Sequence, residues 1–531
     1  MNILVIIWFI IFLGMLIIPV VLGFIYDWDL FPFYREISVS IFAATSIIHF
    51  ILQLGFGYIN WKNMKKIDVV GIHYNTAIQV TGWKEDRELF KRCLISISRQ
   101  DHENIKYITF CSDGNEEEDE YMVEVFKEVF GNESYILRLE NVLKEESDKK
   151  IIDMIPNLID KKYICITQPH RGKRYAMYTQ MILLTKLGVD AILFIDSDTI
   201  IKTDSMNVLS STMEKYNADT VTGDVKIYNP ENLLSFLIAL KYWYAFNIER
   251  SCQSYFANVS CVAGPFGLYK TETISKIIEE WVNQKFWKKE CTFGDDRHLT
   301  NLILKYGGKA YYTHRAACWT DSPLEMRRFI SQQTRWGKSF AREYIINYQW
   351  FHRTTFWLFY DLSFMFIYSV ILCIYLVELL LDFDLFQTMY FLSIILLVSF
   401  VKVLYAVLMT SKKKHIIFGL YSMIYLCILI PVKFWSTITI NITKWGTGSR
   451  RIKTSRNIDL IPLFLWNGFL LFCVGYAVYN AIKDEEYEGF IVMGGNTIYL
   501  SCLYIYYCSI KDKYLIKVDN KLRRYWGTIE V

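Results

Sequence analysis

Long apolar segments occur at both ends of the chain and are missing from its middle. Residues 3–25 and 37–60 are each long enough to cross a hydrocarbon layer of about 30 Å as helices. Apolar segments return at residues 355–380, 388–410, 416–440, 459–481 and 490–509. Residues 1–26 contain no charged side chain and lack the basic start and small-residue cleavage site of a signal peptide. We therefore predict a retained N-terminal membrane anchor and a C-terminal membrane bundle.

Charged residues beside these segments predict which ends face the cytosol. Lys62, Lys65 and Lys66 follow the second apolar segment, and residues 411–415, residues 444–456 and the chain from Lys511 onward are basic. Residues 382–386 and 483–489 are acidic, which places them outside. Both ends of segment 416–440 are then cytosolic, so we predict a re-entrant or interfacial element there and about six spanning helices in all. A further full span is the alternative, and it would break the charge rule at one loop.

The middle of the chain, residues 66–320, has the pattern of an aqueous domain. Short β-rich runs end in polar or glycine positions, and charged, helix-like segments such as residues 116–130 separate them. The runs are "NTAIQVTGW", "KYITFCSDG", "DAILFIDSDT" and "ADTVTGDVKIYN". This alternation predicts an α/β domain with a mostly parallel sheet. Ligands of such sheets bind at the carboxyl ends of the strands, where these polar positions lie.

Two further segments are apolar or amphipathic without being clear membrane spans. Residues 232–247 are apolar but short, and residues 323–345 mix arginine and lysine with aromatic side chains. We predict that both form helices lying in the membrane interface, in contact with lipid.

Composition agrees with a chain that is partly membrane and partly aqueous. It is 53% hydrophobic and 21% charged, too apolar for an ordinary soluble protein and too charged for one that lies wholly in lipid. A net charge of +4 gives no general affinity for nucleic acid, so we expect no nucleic-acid partner. The 12 cysteines form no CxxC motif, which predicts reduced thiols and a cytosolic aqueous domain.

"FIDSDT" places Asp196 and Asp198 two positions apart at the end of an apolar strand. Positions i and i+2 of a strand point the same way, so the two carboxylates can share a hard divalent cation. Such a cation makes a bound diphosphate a better leaving group by neutralising its developing charge. Because DxD is a common tripeptide, a plain polar turn is the alternative.

Two other polar runs suit a nucleotide. "QPHRGKR" (168–174) carries Arg171, Lys173 and Arg174 beside a glycine that lets a ligand approach the backbone, which suits a phosphate. "CSDGN" (111–115) puts Asp113 at a strand tip, in position to contact a base or a ribose. An exposed basic turn and an Asx turn are the respective alternatives.

"CTFGDDRHLTN" (291–301) contains the adjacent carboxylates Asp295 and Asp296. A solvated turn, a metal site and an enzyme's base compete as interpretations, and the upstream DSD pair, which already supplies metal carboxylates, favours the base.

"SQQTRWGKS" (331–339) offers a tryptophan that can stack on a sugar and an arginine that can hold phosphate. An amphipathic membrane-surface helix is the alternative for the second run.

In this order, and with apolar segments on both sides, these motifs resemble the membrane-integrated processive family-2 glycosyltransferases, which include cellulose, chitin and hyaluronan synthases. The resemblance covers nearly the whole chain. It is closest to the class I hyaluronan synthases, whose signature stretches are similar to "NIERSCQSYF" (247–256), "GPFGLYK" (264–270), "GDDRHLTN" (294–301), "QQTRW" (332–336) and "WGTGSRR" (445–451).

The resemblance implies an α/β GT-A glycosyltransferase domain embedded in an α-helical transmembrane bundle. The implied parts are two transmembrane helices (1–61), a cytosolic catalytic domain (62–322), interfacial helices with QxxRW (323–353), a C-terminal membrane region (354–510) with a gating loop (444–456), and a cytosolic tail (511–531). The implied location is the plasma membrane. Intramembrane Asp361, Glu378 and Lys402 are costly in lipid, so we predict that some line a channel or pair with one another.

The resemblance also implies processive, inverting transfer of alternating GlcA and GlcNAc from UDP-GlcA and UDP-GlcNAc, with Mg²⁺ or Mn²⁺ as cofactor. The nascent polysaccharide would leave through the protein's own membrane channel. A chitin or chitin-oligosaccharide synthase that uses UDP-GlcNAc alone is the alternative.

Residue roles follow from the same resemblance. Asp296 matches the catalytic base, and Asp295 is a supporting carboxylate whose charge raises its neighbour's affinity for a proton. Trp83 stands where the family more often has tyrosine, which keeps stacking on uracil and loses a phenol hydrogen bond. The other implied contacts are Asp198 and Asp196 with the metal and nucleotide-sugar, Asp113 and Glu85 with uridine, Lys173 with the diphosphate, and Arg250, Cys291, Arg297, Gln332, Arg335, Trp336, Trp445, Thr447 and Arg450 with substrate. Arg250 is a candidate for the C6 carboxylate by charge alone.

Overall fold

The structure is a computed structural model that describes residues 32–69, 74–351, 353–442 and 460–526. The first predicted membrane segment and the predicted gating loop, with Trp445, Thr447 and Arg450, lie outside the described residues.

The middle of the chain folds around a nine-stranded sheet with strand order β3-β4-β2-β1-β5-β8-β7-β11-β6. Its strands are β1 (Thr76–Gly82), β2 (Ile105–Ser112), β3 (Ser134–Arg138), β4 (Tyr163–Thr167), β5 (Ala191–Asp196), β6 (Ile200–Ile201), β7 (Thr220–Ile227), β8 (Gly267–Lys270) and β11 (Ala310–Thr320), while β9 (Lys285–Phe286) and β10 (Lys289–Glu290) form a separate hairpin. The sheet is mostly parallel, as predicted. The exceptions are β8, antiparallel to both β5 and β7, and β6, antiparallel to β11.

Alternate residues of the central strand enter two different hydrophobic cores. Leu193 and Ile195 of β5 belong to one buried cluster, and Ile192 and Phe194 belong to another. Successive side chains of a strand point to opposite faces, so both faces of this strand are covered by helices. The apolar run "AILFI" is the local signature of that double burial.

Helices flank the sheet and build the rest of the molecule. They are α1 (Pro32–Lys65), α2 (Arg87–Ser98), α3 (Glu120–Phe130), α4 (Asp148–Met154), α5 (Lys173–Lys186), α6 (Ser205–Tyr216), α7 (Leu233–Tyr244), α8 (Ser251–Tyr255), α9 (Thr271–Val282), α10 (Asp295–Lys305), α11 (Met326–Phe351), α12 (Phe356–Leu381), α13 (Leu385–Thr410), α14 (Tyr421–Ile424), α15 (Ile430–Ile438), α16 (Ile461–Lys483) and α17 (Glu488–Trp526).

Five helical segments of the described chain are long and apolar enough to cross a membrane, which confirms the C-terminal bundle. They are Phe356–Leu381, Leu385–Thr410, Lys413–Ile438, Ile461–Lys483 and Glu488–Arg523. The third contains the predicted re-entrant element, and it is interrupted by a 3₁₀ turn (Lys413–Leu420) and a π turn (Tyr425–Leu429). Its apolar window is 56% buried inside the protein, against 28% or less for the other four. A re-entrant course for this segment stays a prediction.

The helix of the apolar segment 232–247 is largely enclosed by protein, and its location at the membrane interface stays a prediction. This helix, α7, buries Phe236 and Leu237 in a cluster that also contains Val403, Phe418 and Tyr507 from the membrane bundle. The segment is apolar because it packs between the sheet domain and the bundle. The second segment, 323–353, contains one continuous helix, α11, whose buried side includes Phe329, Ala341 and Phe351.

The predicted intramembrane charged residues have different neighbours. Asp361 of α12 is fully buried and accepts hydrogen bonds from Gln253 Nε2 (2.7 Å) and Gln53 Nε2 (3.2 Å). Lys402 of α13 has its ammonium 5.3 Å from the centroid of the Phe50 ring. Asp361 thus connects three helices, α1, α8 and α12, through polar contacts that are enclosed in protein.

Candidate active site

The carboxylates of "FIDSDT" stand where the central strand ends. Asp196 is the last residue of β5, and it forms an ion pair with Lys173, the first residue of α5. Asp198 Oδ1 accepts hydrogen bonds from the hydroxyls of Thr199 and Thr320, each at 3.3 Å. Burial raises the pKa of Asp196, with Lys173 opposing that effect. Burial acts to lower the pKa of Lys173, yet the Asp196 carboxylate holds it above its ordinary value.

The donor set at this strand end fits a divalent cation. Asp196 and Asp198 offer hard carboxylate oxygens, the ligands that Mg²⁺ and Mn²⁺ prefer. Within the described residues, no group of three or more histidine, cysteine, aspartate or glutamate side chains converges to form a complete protein metal site. Two carboxylates suit a cation that binds together with substrate phosphates.

Only one of the three cations in "QPHRGKR" faces the strand-end carboxylates. Arg171 pairs with Glu145, and Arg174 Nε pairs at 2.5 Å with Asp295. Lys173 alone lies beside Asp196. The prediction that the whole run grips phosphate is therefore too broad, since Arg174 is 4% exposed and already neutralises a buried carboxylate.

Asp113 holds the turn in front of Lys173. Its carboxylate is 2% exposed and accepts from the backbone N–H groups of Arg171 (3.1 Å) and Gly172 (2.9 Å) and from His170 Nδ1 (2.9 Å). These hydrogen bonds explain a structural role for Asp113, while its contact with uridine stays a prediction. The hydrogen bond to Asp113 raises the pKa of His170.

An aromatic face lies beside this turn. The Trp83 and His170 rings stack with centroids 4.2 Å apart and an interplanar angle of 19°. His170 therefore covers one face of the indole, and stacking of uracil on Trp83 stays a prediction. Glu85, two residues further along, is partly buried, and its backbone carbonyl accepts from Tyr121 Oη at 2.5 Å.

Gly294 brings the two adjacent carboxylates against the QxxRW helix. Its φ of +88° lies in the left-handed region, and a Cβ built there would stand 2.2 Å from Ser339 Oγ of α11. Only glycine combines that backbone with such a close approach. Asp295 and Asp296 follow as the first residues of α10.

The two adjacent carboxylates have different surroundings. Asp295 is 7% exposed and paired with Arg174, and its backbone carbonyl accepts from Trp281 Nε1 at 2.9 Å. Asp296 is partly exposed, and its Oδ2 accepts from Gly264 N–H (3.3 Å) and from the Cys261 thiol (3.6 Å). In the described part of the chain Asp296 forms no ion pair.

This geometry corrects the predicted role of Asp295. Arg174 neutralises the Asp295 carboxylate, so Asp295 is not a bare like charge beside Asp296. Asp295 anchors the start of α10 instead, and the adjacent Asp296 carboxylate is left to neutral donors.

Gly264 lies between Asp296 and the strand-end carboxylates. A Cβ built on it would stand 3.7 Å from Asp296 Oδ2 and 3.9 Å from Asp196 Oδ2. Arg335 of α11 belongs to the same centre: burial lowers the pKa of its guanidinium, while the Asp296 and Asp295 carboxylates act in the opposite direction. The predicted base, the predicted metal pair and the QxxRW arginine therefore converge on one site.

Comparisons with known proteins identify the family of the chain. Residues 73–339 match the family described as glycosyltransferase like family 2. Hyaluronan synthase 2 of Bos taurus and that of Homo sapiens are each 33% identical to this chain, over 92% of it and 90% of the relative. The chain belongs to the hyaluronan synthase family of family-2 glycosyltransferases. Hyaluronan synthase 1 of Xenopus laevis is 32% identical over 84% of this chain and 80% of its own.

Family membership makes the chain an integral-membrane UDP-sugar glycosyltransferase with a nucleotide-sugar substrate and a polysaccharide product. Among solved structures, mannosyltransferase PcManGT from Pyrobaculum calidifontis, in complex with GDP-Man and Mn²⁺, is 12% identical. That match has a TM-score of 0.38 and covers 84% of this chain and 98% of the other.

The other predicted substrate-binding residues of this glycosyltransferase differ in their exposure and in their neighbours. Trp336 is 40% exposed. Gln332 is partly buried and accepts from the neighbouring Gln333 amide at 3.4 Å. The Arg297 guanidinium lies 5.3 Å from the centroid of the Phe340 ring. The structure thus leaves the Trp336 indole accessible, as stacking on a sugar would require.

Cys291 packs in an apolar cluster, whereas Arg250 contacts Cys261, a neighbour of Asp296. Cys291 is 3% exposed and packs in an apolar cluster with Phe286, Ala341 and Ile440, so it does not present its thiol to an acceptor in this structure. Arg250 Nε donates to the Cys261 carbonyl at 3.1 Å. That hydrogen bond places Arg250 next to the Cys261 thiol that touches Asp296.

A buried hydrogen-bond network behind the site was not predicted from the sequence. Glu343 of α11 is 2% exposed and accepts from His298 Nδ1 (3.0 Å), Asn301 Nδ2 (2.8 Å) and Asn347 Nδ2 (2.7 Å). Burial acts to raise the pKa of Glu343, but His298 and these amides lower it to about 2. The network joins α10, which carries Asp296, to the QxxRW helix. Its sequence signals were polar residues at helical spacing, His298 and Asn301 on α10 and Glu343 and Asn347 on α11.

Proposed function

We propose that this glycosyltransferase synthesises hyaluronan, adding GlcA and GlcNAc alternately from UDP-GlcA and UDP-GlcNAc and extruding the polymer through its own membrane segments. The observation that carries the proposal is the 33% identity with hyaluronan synthase 2, which extends over 92% of the chain. That span includes membrane segments as well as the sheet domain. Identity limited to the sheet domain would support sugar transfer without supporting secretion.

Transfer by this site would be a single displacement. Asp296 takes the proton from the acceptor hydroxyl as that oxygen attacks the anomeric carbon, and the bond from that carbon to the UDP oxygen breaks. The result is inversion at the anomeric carbon. Asp296 suits the role because neutral donors from Gly264 and Cys261 hold its carboxylate in place. Holding the base in a fixed position contributes more than raising its basicity would.

The diphosphate would lie at the strand end between Lys173 and Arg335, both of which offer positive charge. Asp196 and Asp198 would hold Mg²⁺ or Mn²⁺ there. A bound cation would neutralise the charge that develops on the leaving UDP. Lys173, which in this structure pairs with Asp196, could then turn to the phosphate oxygens.

We further propose that the catalytic domain faces the cytosol of a plasma-membrane protein. Basic residues beside the predicted membrane segments support this orientation, among them Lys62 and Lys65 in the last turn of α1, which contains the predicted span 37–60. Cytosolic UDP-sugars would then reach the site directly, and the polymer would leave on the other side.

The test uses the full chain purified into lipid nanodiscs and supplied with each donor alone or with both. Continuous release of UDP and a hyaluronidase-sensitive polymer only with both donors is the expected result. Insoluble, chitinase-sensitive polymer from UDP-GlcNAc alone would instead establish a chitin synthase. In sealed inverted membrane vesicles, polymer protected from added hyaluronidase would support secretion, and fully accessible polymer would contradict it.

Arg250 supplies a test of donor recognition. Its guanidinium can pair with the C6 carboxylate of GlcA, a group that GlcNAc lacks. We expect Arg250→Gln to raise KM for UDP-GlcA by roughly tenfold or more, as the loss of a charge-assisted hydrogen bond would, with little change for UDP-GlcNAc. Equal changes for both donors would show that Arg250 acts only through the Cys261 loop. Lys91→Gln, which removes a partly exposed ion pair between α2 and Glu128, is the control for the loss of a positive charge.

A further inference from the structure

The last membrane helix ends on the catalytic domain. Helix α17 continues without a break to Trp526, well past the predicted membrane boundary at residue 510. Leu522, near its end, is 1% exposed. It packs in a small cluster with three other buried residues, Ile200, Ala317 and Trp319. The predicted cytosolic tail is therefore, as far as residue 526, a docked helix.

Several side chains hold the end of α17 against the catalytic domain. The Tyr525 ring stacks on Trp319 with centroids 4.9 Å apart and an interplanar angle of 30°. Lys521 Nζ lies 5.3 Å from the centroid of the same indole. The Tyr525 carbonyl accepts from Arg99 Nη1 at 3.3 Å. Contacts thus reach α17 from β11 and from the end of α2.

The surface that α17 covers is the edge of the sheet behind Asp198. Strand β6, Ile200–Ile201, is the outermost strand and has only two residues, which pair with Cys318 and Trp319 of β11. An edge strand this short has few ladder hydrogen bonds to hold it. The contacts from α17 supply apolar packing in their place.

This edge adjoins Asp198 and one of its hydrogen-bond donors. Ile200 follows Asp198 by two residues, and Trp319 immediately precedes Thr320, whose hydroxyl donates to Asp198 Oδ1 at 3.3 Å. Leu522 packs against Ile200 and Trp319 together. A shift of either residue would therefore move Asp198 or its hydrogen-bond donor.

We propose that Leu522 and Tyr525 are positioning residues for the metal carboxylate Asp198, acting through the β6–β11 edge. This inference rests on the proposed metal role of Asp198. It makes the affinity of the site for a divalent cation depend on the last turns of a membrane helix, far along the chain from the carboxylate itself.

The test measures Mn²⁺ binding directly, by electron paramagnetic resonance of the full-length protein with UDP present, beside kcat at rising Mn²⁺. Supporting residues around metal ligands typically change metal affinity by 10–100-fold, so we expect Leu522→Ala and Tyr525→Ala to raise the Mn²⁺ dissociation constant on the order of tenfold. Excess Mn²⁺ should restore kcat. Tyr525→Phe and Leu522→Met, which keep the packing, should behave like the wild type.

Ile516→Ala is the matched control, because Ile516 lies on the same helix and is 61% exposed. Wild-type Mn²⁺ affinity in the two alanine variants would overturn the proposal, as would a low kcat that excess Mn²⁺ leaves unchanged. If those variants cannot be purified, Leu522→Val and Tyr525→Leu must show the same weakening to a smaller degree. A wild-type chain that neither binds nor needs Mn²⁺ would overturn the metal site itself. That result differs from one in which the wild type binds Mn²⁺ and the Leu522 and Tyr525 variants bind it equally well.

Discussion

The two carboxylate pairs of the site are held in different ways. In the strand-end pair, Asp196 lies beside the cation Lys173, and Asp198 accepts from two hydroxyls. In the helix-start pair, Asp295 is buried against Arg174, whereas the donors to Asp296 among the described residues are neutral. A carboxylate locked in a buried ion pair is a poor proton acceptor, whereas one held by neutral donors can take a proton. Within the helix-start pair, the cation Arg174 thus distinguishes the structural carboxylate Asp295 from Asp296, the proposed base.

The largest expected effect tests whether Asp296 is the reactive member. Asp296→Asn keeps the shape and removes the proton acceptor, so we expect kcat to fall roughly a thousandfold, within the range of general base catalysis. Affinity for UDP-sugar, measured by titration calorimetry, should change little. If Asp296→Asn kept the wild-type kcat, another residue would be the base, and the different roles assigned to Asp295 and Asp296 would be wrong.

The next effect concerns stability. Asp295→Asn leaves Arg174 buried without its counter-charge, and breaking such a pair typically costs about 3–5 kcal/mol of folding free energy. We expect a lower melting temperature of the full chain in nanodiscs, while Asp296→Asn should melt like the wild type. Replacing both partners, as Asp295→Leu with Arg174→Met, should recover much of the loss, because no charge is then left buried. Equal melting of both single variants would contradict the assigned roles.

The strand-end pair was predictable, and the helix-start pair was predictable only in part. A run of apolar residues ending in DSD identifies a central strand and its polar tip, because strand burial and side-chain alternation are local properties. The partner of Asp295 is Arg174, 121 positions away in the chain. Nothing in the spacing of "QPHRGKR" distinguishes Arg174, which enters the core, from Lys173, which faces the site.

The same limit applies elsewhere in the chain. The composition of residues 232–247 suits a membrane interface, but it does not predict that the helical bundle packs against them. Cys291 was assigned to the acceptor by resemblance, but Phe286 and Ile440 enclose it. Apolar composition indicates that a segment is buried and does not indicate whether lipid or protein buries it.

A smaller effect tests how closely the helix-start pair is fixed to α11. Gly294→Ala combines a φ of +88° with a contact of 2.2 Å to Ser339 Oγ, so the chain around Asp296 must shift. We expect a drop in kcat of roughly tenfold, since small misplacements of reacting groups are costly. Gly307→Ala is the control, because its φ of +83° is close to that of Gly294 and a Cβ there meets nothing within 4 Å. Equal kcat in the two variants would show that the Ser339 contact does not position the base.

The smallest effect concerns the turn that leads to the strand-end pair. The hydrogen bond to Asp113 raises the pKa of His170, so the protonated ring stabilises the folded state at acidic pH. That stabilisation is complete below the unfolded pKa of about 6.5 and disappears as pH rises through the higher folded value. His170 is 50% exposed in its side chain, so solvent screening limits the effect to about 0.5 kcal/mol. His170→Gln should therefore lower the melting temperature slightly at pH 5.5 and less at pH 9, whereas a deficit that grows with pH would contradict the assigned charge.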